Sequence, residues 1–230
     1  MYKLIYLARR AAPVTREDWP RTWRSHAVFA SQFPALESGI AYMRYCNRVE
    51  DVAIDGLSDA HDGVAMAGGD RLEALNGTGF GAEDRARIDE DELRVFDMPT
   101  PNFTFYCTEA ALRDGKPGEA AVYRFLPRPP GMTRDSFDNR WSEQHAQVAK
   151  DAIAGIDAIT RYVHNRPVHE PLDLFPFDGI VETWFANVDE AVAALSGEAL
   201  DPIAQDLAAF CDMDRSVTLL TKVCHRWPRD

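Results

Sequence analysis

One pattern is written into this chain twice, the copies offset by roughly 118 positions. Thr15-Arg16, Trp19, Trp23, His26, Asn47-Arg48 and Asp62-Gly63-Val64 make up the first. Thr133-Arg134, Phe137, Trp141, His145, Asn165-Arg166 and Asp178-Gly179-Ile180 make up the second. The period is several times that of a solenoid unit, which is a single supersecondary element. Each copy is therefore expected to be a small α+β module, the first over 1–110 and the second over 119–230. Two such modules can close on one another around a shared hollow.

Short runs rich in β-branched and aromatic residues open both copies, at 3–9 and 121–126, and each ends in a proline-containing turn. Thr15 and Thr133 then have the chemistry of helix N-caps. Glu17-Asp18 and Asp135 follow in the first turns, where carboxylates favour the helix dipole. Trp19, Trp23, His26, Ala30 and Phe33 form one helical face, and so do Phe137, Trp141, His145, Val148 and Ala152. Each face carries one histidine at its centre. Second strands are expected near 40–49 and 158–168, and third strands from the Asp-Gly pairs. A helix over 187–195 and closing strands at 103–107 and 217–224 complete the order β-α-β-β-α-β, the ferredoxin-like split unit. The third strand of the first copy reads as degraded, with Gly68-Gly69 where the second copy has aromatic residues. Beyond it we expect a remnant helix at 72–75, a loop at 77–81, a solvated acidic segment at 83–92 and a linker over 109–120.

Charge narrows the partners. A net charge of −12 repels phosphate backbones and anionic lipid, so neither nucleic acid nor membrane is expected as a partner. Cys46, Cys107, Cys211 and Cys224 are widely spaced, with no CxxC pair, which suggests free thiols in a reducing compartment and no metal site. No stretch has signal-peptide character or the ~20 apolar residues that span a bilayer, so a cytoplasmic address is expected. No GxSxG, P-loop or HExxH motif occurs, and Gly77-Thr78-Gly79-Phe80-Gly81 lacks the spacing of a dinucleotide loop.

The residues of the second copy resemble the EthD family of the dimeric α+β barrel superfamily. They are Thr133, Phe137, Trp141, His145, Tyr162, Asn165, Phe177-Asp178-Gly179, Trp184-Phe185 and Asp214-Arg215-Ser216. The first copy keeps Trp23, His26, Tyr45, Asn47 and Asp62-Gly63. Its histidine follows the tryptophan by three residues rather than four, and it has no counterpart of Trp184. The resemblance implies two ferredoxin-like βαββαβ modules in tandem, forming an intrachain dimeric α+β barrel. It further implies a small aromatic or polyketide-like substrate and chemistry without a cofactor.

His145 and His26 are the leading candidates, because an imidazole on a core-facing stripe titrates near neutrality and can move a proton. The bland alternative is a structural histidine with both nitrogens satisfied. Glu182 shares a strand face with Ile180 and Trp184, where desolvation suits a carboxyl to proton transfer. Arg124, whose counterpart in the first copy is Tyr6, can clamp a substrate carboxylate or pair with Glu182. Tyr162 can donate to a developing oxyanion, with His164 on the same strand face. Trp141 and Trp184 are core residues or an aromatic wall. Together these suggest a cofactor-independent lyase, a decarboxylase or dehydratase for a small phenolic or polyketide-derived acid. His145, Glu182 and Tyr162 would be catalytic. An isomerase or cyclase on the same substrates is the alternative, as is a non-catalytic binding protein of an aromatic degradation pathway. A haem-holding barrel is a further reading, and sheet edges leave room for a homodimer.

Overall fold

The computed structural model describes residues 1–33, 39–76 and 80–228. Gly77-Thr78-Gly79, the core of the expected glycine loop, lie outside the described residues. The chain divides into two compact α+β units. The first gathers Met1–Arg48, Asp59–Glu109 and the residues from Val223 onward, and the second Val49–Ser58 and Ala110–Lys222.

In the first unit, β1 (Tyr2–Ala8), β2 (Tyr42–Arg48), β3 (Gly63–Gly69) and the start of β4 (Thr104–Arg113) form an antiparallel sheet in the order β4-β1-β3-β2. Helices α1 (Trp19–Ala30), α2 (Leu72–Leu75) and α3 (Ala82–Val95) accompany it. Two expectations are corrected here. β3 is not degraded: it is a full seven-residue strand, buried along its whole length. Its glycines are there for closeness, since a Cβ at Gly68 would strike the Tyr42 ring and one at Gly69 would meet the Gly39 carbonyl at 2.5 Å. The acidic segment 83–92 is no solvated strip either. It lies in α3, which turns Ile88, Glu92 and Val95 inward. Charge hid the periodicity of this helix, because two of the residues it directs inward or half inward, Asp91 and Glu92, are themselves acidic.

In the second unit, β5 (Ala120–Leu126), β6 (Ile159–Pro167), β7 (Gly179–Phe185) and β8 (Val217–Trp227, through Lys222) take the order β8-β5-β7-β6, again antiparallel. Helix α4 (Arg134–Asn139) runs through a π-helical turn (Arg140–His145) into α5 (Ala146–Ala154). α6 (Val188–Ser196) and α7 (Asp201–Ala208) follow β7. Thr133 caps α4 as expected, its side chain accepting from the Ser136 N–H. Thr15 instead accepts from the Asp18 N–H in a turn before α1, which begins at Trp19.

The duplicated residues hold duplicated contacts. Asp62 takes the backbone N–H and guanidinium of Arg10, and Asp178 takes those of Arg128. The glycine after each aspartate is needed for packing rather than for a turn. A Cβ at Gly63 would enter the Trp23 ring, and one at Gly179 would sit 2.8 Å from Trp141. Each tryptophan ring therefore packs against the first residue of a strand.

Candidate functional site

A cavity of about 140 Å³ lies inside the first unit. Its floor is one face of the sheet: Leu4 and Tyr6 of β1, Met43 and Tyr45 of β2, Ala65 and Ala67 of β3, Thr104 and Tyr106 of β4. Register explains why these residues share a face, since Tyr6 lies opposite Ala65 and Thr104, and Tyr45 opposite Ala65. The two alanines leave the middle of the floor empty. Their counterparts beside β5 and β6 are Val181 and Thr183, which lie opposite Arg124 and Val122. The roof comes from α1 and α3 through His26, Arg85, Ile88 and Glu92.

The polar groups around this cavity are arranged for proton transfer. His26 is buried, and its Nδ1 lies 2.7 Å from Asp91 Oδ2. Burial alone would raise the Asp91 carboxyl, but hydrogen bonds from His26 and Arg94 outweigh it and hold the group below its ordinary value. An ionised Asp91 fixes the imidazole proton on Nδ1 and leaves Nε2 as the basic nitrogen. Glu92, one residue on, is shifted the other way. Desolvation raises its carboxyl despite hydrogen bonds from Thr100 (2.8 Å) and Arg85 (3.0 Å). Burial also raises the phenols of Tyr6, Tyr45 and Tyr106, so all three stay protonated and can donate.

Of the candidate catalytic and binding residues read from the sequence, His26 and Tyr6 line this cavity. His145, Tyr162, Arg124, His164 and Trp141 come together in the second unit, on the helix-facing side of its sheet. His145 repeats the arrangement of His26: Nδ1 is 2.7 Å from Asp206 Oδ2, Arg140 pairs with the same aspartate, and Phe210 stands where Phe96 stands beside His26. The extra residue between Trp141 and His145 is absorbed by the π-helical turn, a one-residue bulge that covers in four residues about the arc an α-helix covers in three. Both imidazoles thus reach equivalent aspartates despite unequal spacing.

Glu182 and Trp184 are not part of that cluster. Glu182 lies opposite Tyr123 and Val163, on the other sheet face from Arg124, which lies opposite Val181. Its oxygens accept from Asn165 Nδ2 (2.8 Å) and Trp184 Nε1 (2.9 Å). The expected Arg124–Glu182 ion pair is therefore corrected: neighbouring strands put the two side chains on opposite sides. Register also revises the pairing of copies on the second strand. Tyr45 occupies the place of His164, not Tyr162, because each lies opposite the third residue of the next strand, Ala65 or Val181.

Asp91, Glu92 and Arg85 were missed in the sequence. The recoverable signal was the spacing of Ile88, Glu92 and Val95 at four and three residues, which belongs to a helix with a partly buried acidic face. Among the described residues no group of three or more His, Cys, Asp or Glu side chains is placed to hold a metal ion. No helix among them is long and apolar enough to cross a membrane.

Each unit is thus an antiparallel α+β unit with a helix-borne His–Asp pair. A family model described as the EthD domain matches residues 129–214 of the second half. No curated protein is similar enough in sequence to count as a relative. Among solved structures, an anthrone oxidase-like protein superposes with a TM-score of 0.65 at 10% identity, covering 98% of this chain and 92% of that one. A protein from Fusobacterium nucleatum, provisionally described as a monooxygenase, reaches 0.60 at 9% identity over 98% and 92%. A chlorite dismutase from Candidatus Nitrospira defluvii reaches 0.51 at 10% over 96% and 90%. At such identities the likeness is one of fold alone.

Proposed function

We propose that this protein is an enzyme that moves a proton on a small single-ring phenolic or enolisable acid, in the cavity of the first unit. His26 is the general base, held by Asp91, and takes a proton from a carbon next to the substrate carbonyl. The electron pair passes to the carbonyl oxygen, where the Tyr6 and Tyr45 hydroxyls donate to the enolate. As the enolate pair returns to form the carbon–carbon double bond, the carbon–oxygen bond of the neighbouring hydroxyl breaks. Glu92, whose carboxyl desolvation raises, is the acid that protonates this hydroxyl, and it leaves as water. Dehydration uses both base and acid, so within the lyase class it is favoured over decarboxylation. An isomerase would use the same first step and return the proton to another carbon.

Cavity size selects the substrate. A cavity of about 150 Å³ takes one benzene ring, and this one measures about 140 Å³. A three-ring anthrone therefore exceeds it, whatever the fold neighbour acts on. The reading also retains the tandem intrachain barrel of ferredoxin-like modules, over 1–110 and 119–230. Its support is the matching strand order of the two units and a fold likeness spanning nearly the whole chain. A cytoplasmic setting goes with it, since all four cysteines are free thiols, and it holds for one chain or a homodimer.

The observation that carries the proposal is a buried His–Asp pair at the wall of a ring-sized cavity. Incubation with single-ring hydroxy acids and cyclic β-hydroxy ketones, following ring absorbance and carbon dioxide release, tests it. Turnover that survives His26→Asn undiminished would end the proposal. Binding without turnover in the unaltered protein would make it a carrier instead.

A further inference from the structure

The second unit holds a polar cluster that the chemistry of the first does not use. Arg124 projects from β5 on the face of Val122 and Leu126, both part of the packed core between sheet and helices. It is the one residue of β5 that is half-buried rather than buried. Among the described residues no acidic side chain pairs with it, and its electrostatic neighbour is Tyr162. A guanidinium in an apolar interior without a counter-charge is costly. The Tyr162 hydroxyl, His145 Nε2 and His164 Nε2 are buried beside it and make no hydrogen bond. The two imidazoles are parallel, with ring centres 5.2 Å apart, and the Tyr162 ring centre is 5.5 Å from that of His164.

The donor and acceptor pattern identifies the ligand. Asp206 fixes the His145 proton on Nδ1, so Nε2 presents a lone pair rather than a donor. One cation, one neutral donor and one lone pair thus stand together in an apolar surround, with the His164 imidazole stacked alongside. A bare anion would leave the lone pair unmatched, and a neutral alcohol would leave the cation unmatched.

We propose that this cluster is a second binding site, for a short carboxylate that also carries a hydroxyl. The carboxylate accepts from Arg124 and Tyr162, and the hydroxyl donates to His145 Nε2. The site stands independently of the reading given to the cavity of the first unit.

Calorimetric titration of the whole protein with glycolate, and with acetate as the probe lacking the hydroxyl, tests this. Glycolate is expected to bind at least tenfold more tightly than acetate. Arg124→Met and Tyr162→Phe should each weaken glycolate at least tenfold. If circular dichroism shows Arg124→Met unfolded, Tyr162→Phe alone decides. Equal affinity for the two acids, no heat with glycolate at millimolar concentration, or undiminished binding in Tyr162→Phe would overturn the proposal.

Discussion

At the residue scale the informative unit is a trio rather than a lone histidine. His26, Asp91 and Arg94 in one half repeat as His145, Asp206 and Arg140 in the other. Asp91→Asn keeps the size of the side chain but removes the charge that stabilises an imidazolium and selects its tautomer. We expect turnover to fall by about 10²- to 10⁴-fold with little change in KM. An equal loss in KM would instead mark Asp91 as a substrate contact. The glycine under each tryptophan gives a stability prediction. Gly63→Ala forces a methyl into the Trp23 ring, and we expect a loss of about 1–3 kcal/mol in urea unfolding. The histidines were legible in the sequence because each sits on an apolar helical stripe. Their aspartates were not, since Asp91 and Asp206 lie some 60 residues away and nothing local marks them.

At the element scale, the strands and the helices α1, α4–α5 and α6 followed from hydrophobic periodicity, whereas α3 and α7 went unread and β3 was taken as degraded. β3 is largely glycine and alanine and α3 is mostly charged, so both were misread. Yet these two elements make the cavity, one by leaving space and the other by supplying polar groups. Ala67→Val should fill that space, raise thermal stability by a degree or more and abolish turnover. An active Ala67→Val enzyme would place the chemistry elsewhere. The π-helical turn yields a second expectation. Deleting Gln144 restores the Trp-x-x-His spacing that α1 already uses, so the helix should refold as continuous α with its His–Asp pair intact. Retained helicity and an unchanged His145 Nδ1–H resonance in proton NMR would show this. A resonance exchanging with water would show that the bulge is required.

Considered as a whole molecule, the chain keeps several histidines neutral by burying them. Desolvation lowers His61 to about 4, and it also lowers His145 and His164. The unfolded chain binds protons at about pH 6.5 that the folded chain refuses, so stability rises with pH and is lost as pH falls below 6.5. His61 alone contributes a loss of about 2 kcal/mol by pH 5. Glu92, Asp97 and Asp178, whose carboxyls are raised by burial, act in the opposite sense. We expect the histidines to prevail between pH 7 and 5, read as a fall in the urea midpoint. A midpoint that climbs over this range would contradict the placement of these rings.

The bulge also sets a rule for anyone recombining the two halves. From Gln144 onward the copies are out of step by one position, and one position on a regular helix is a rotation of about 100°. A graft cut upstream of Trp141 carries its own correction with it. One joined just beyond would swing the imidazole away from its carboxylate, yielding a well-folded hybrid whose histidine and aspartate no longer meet.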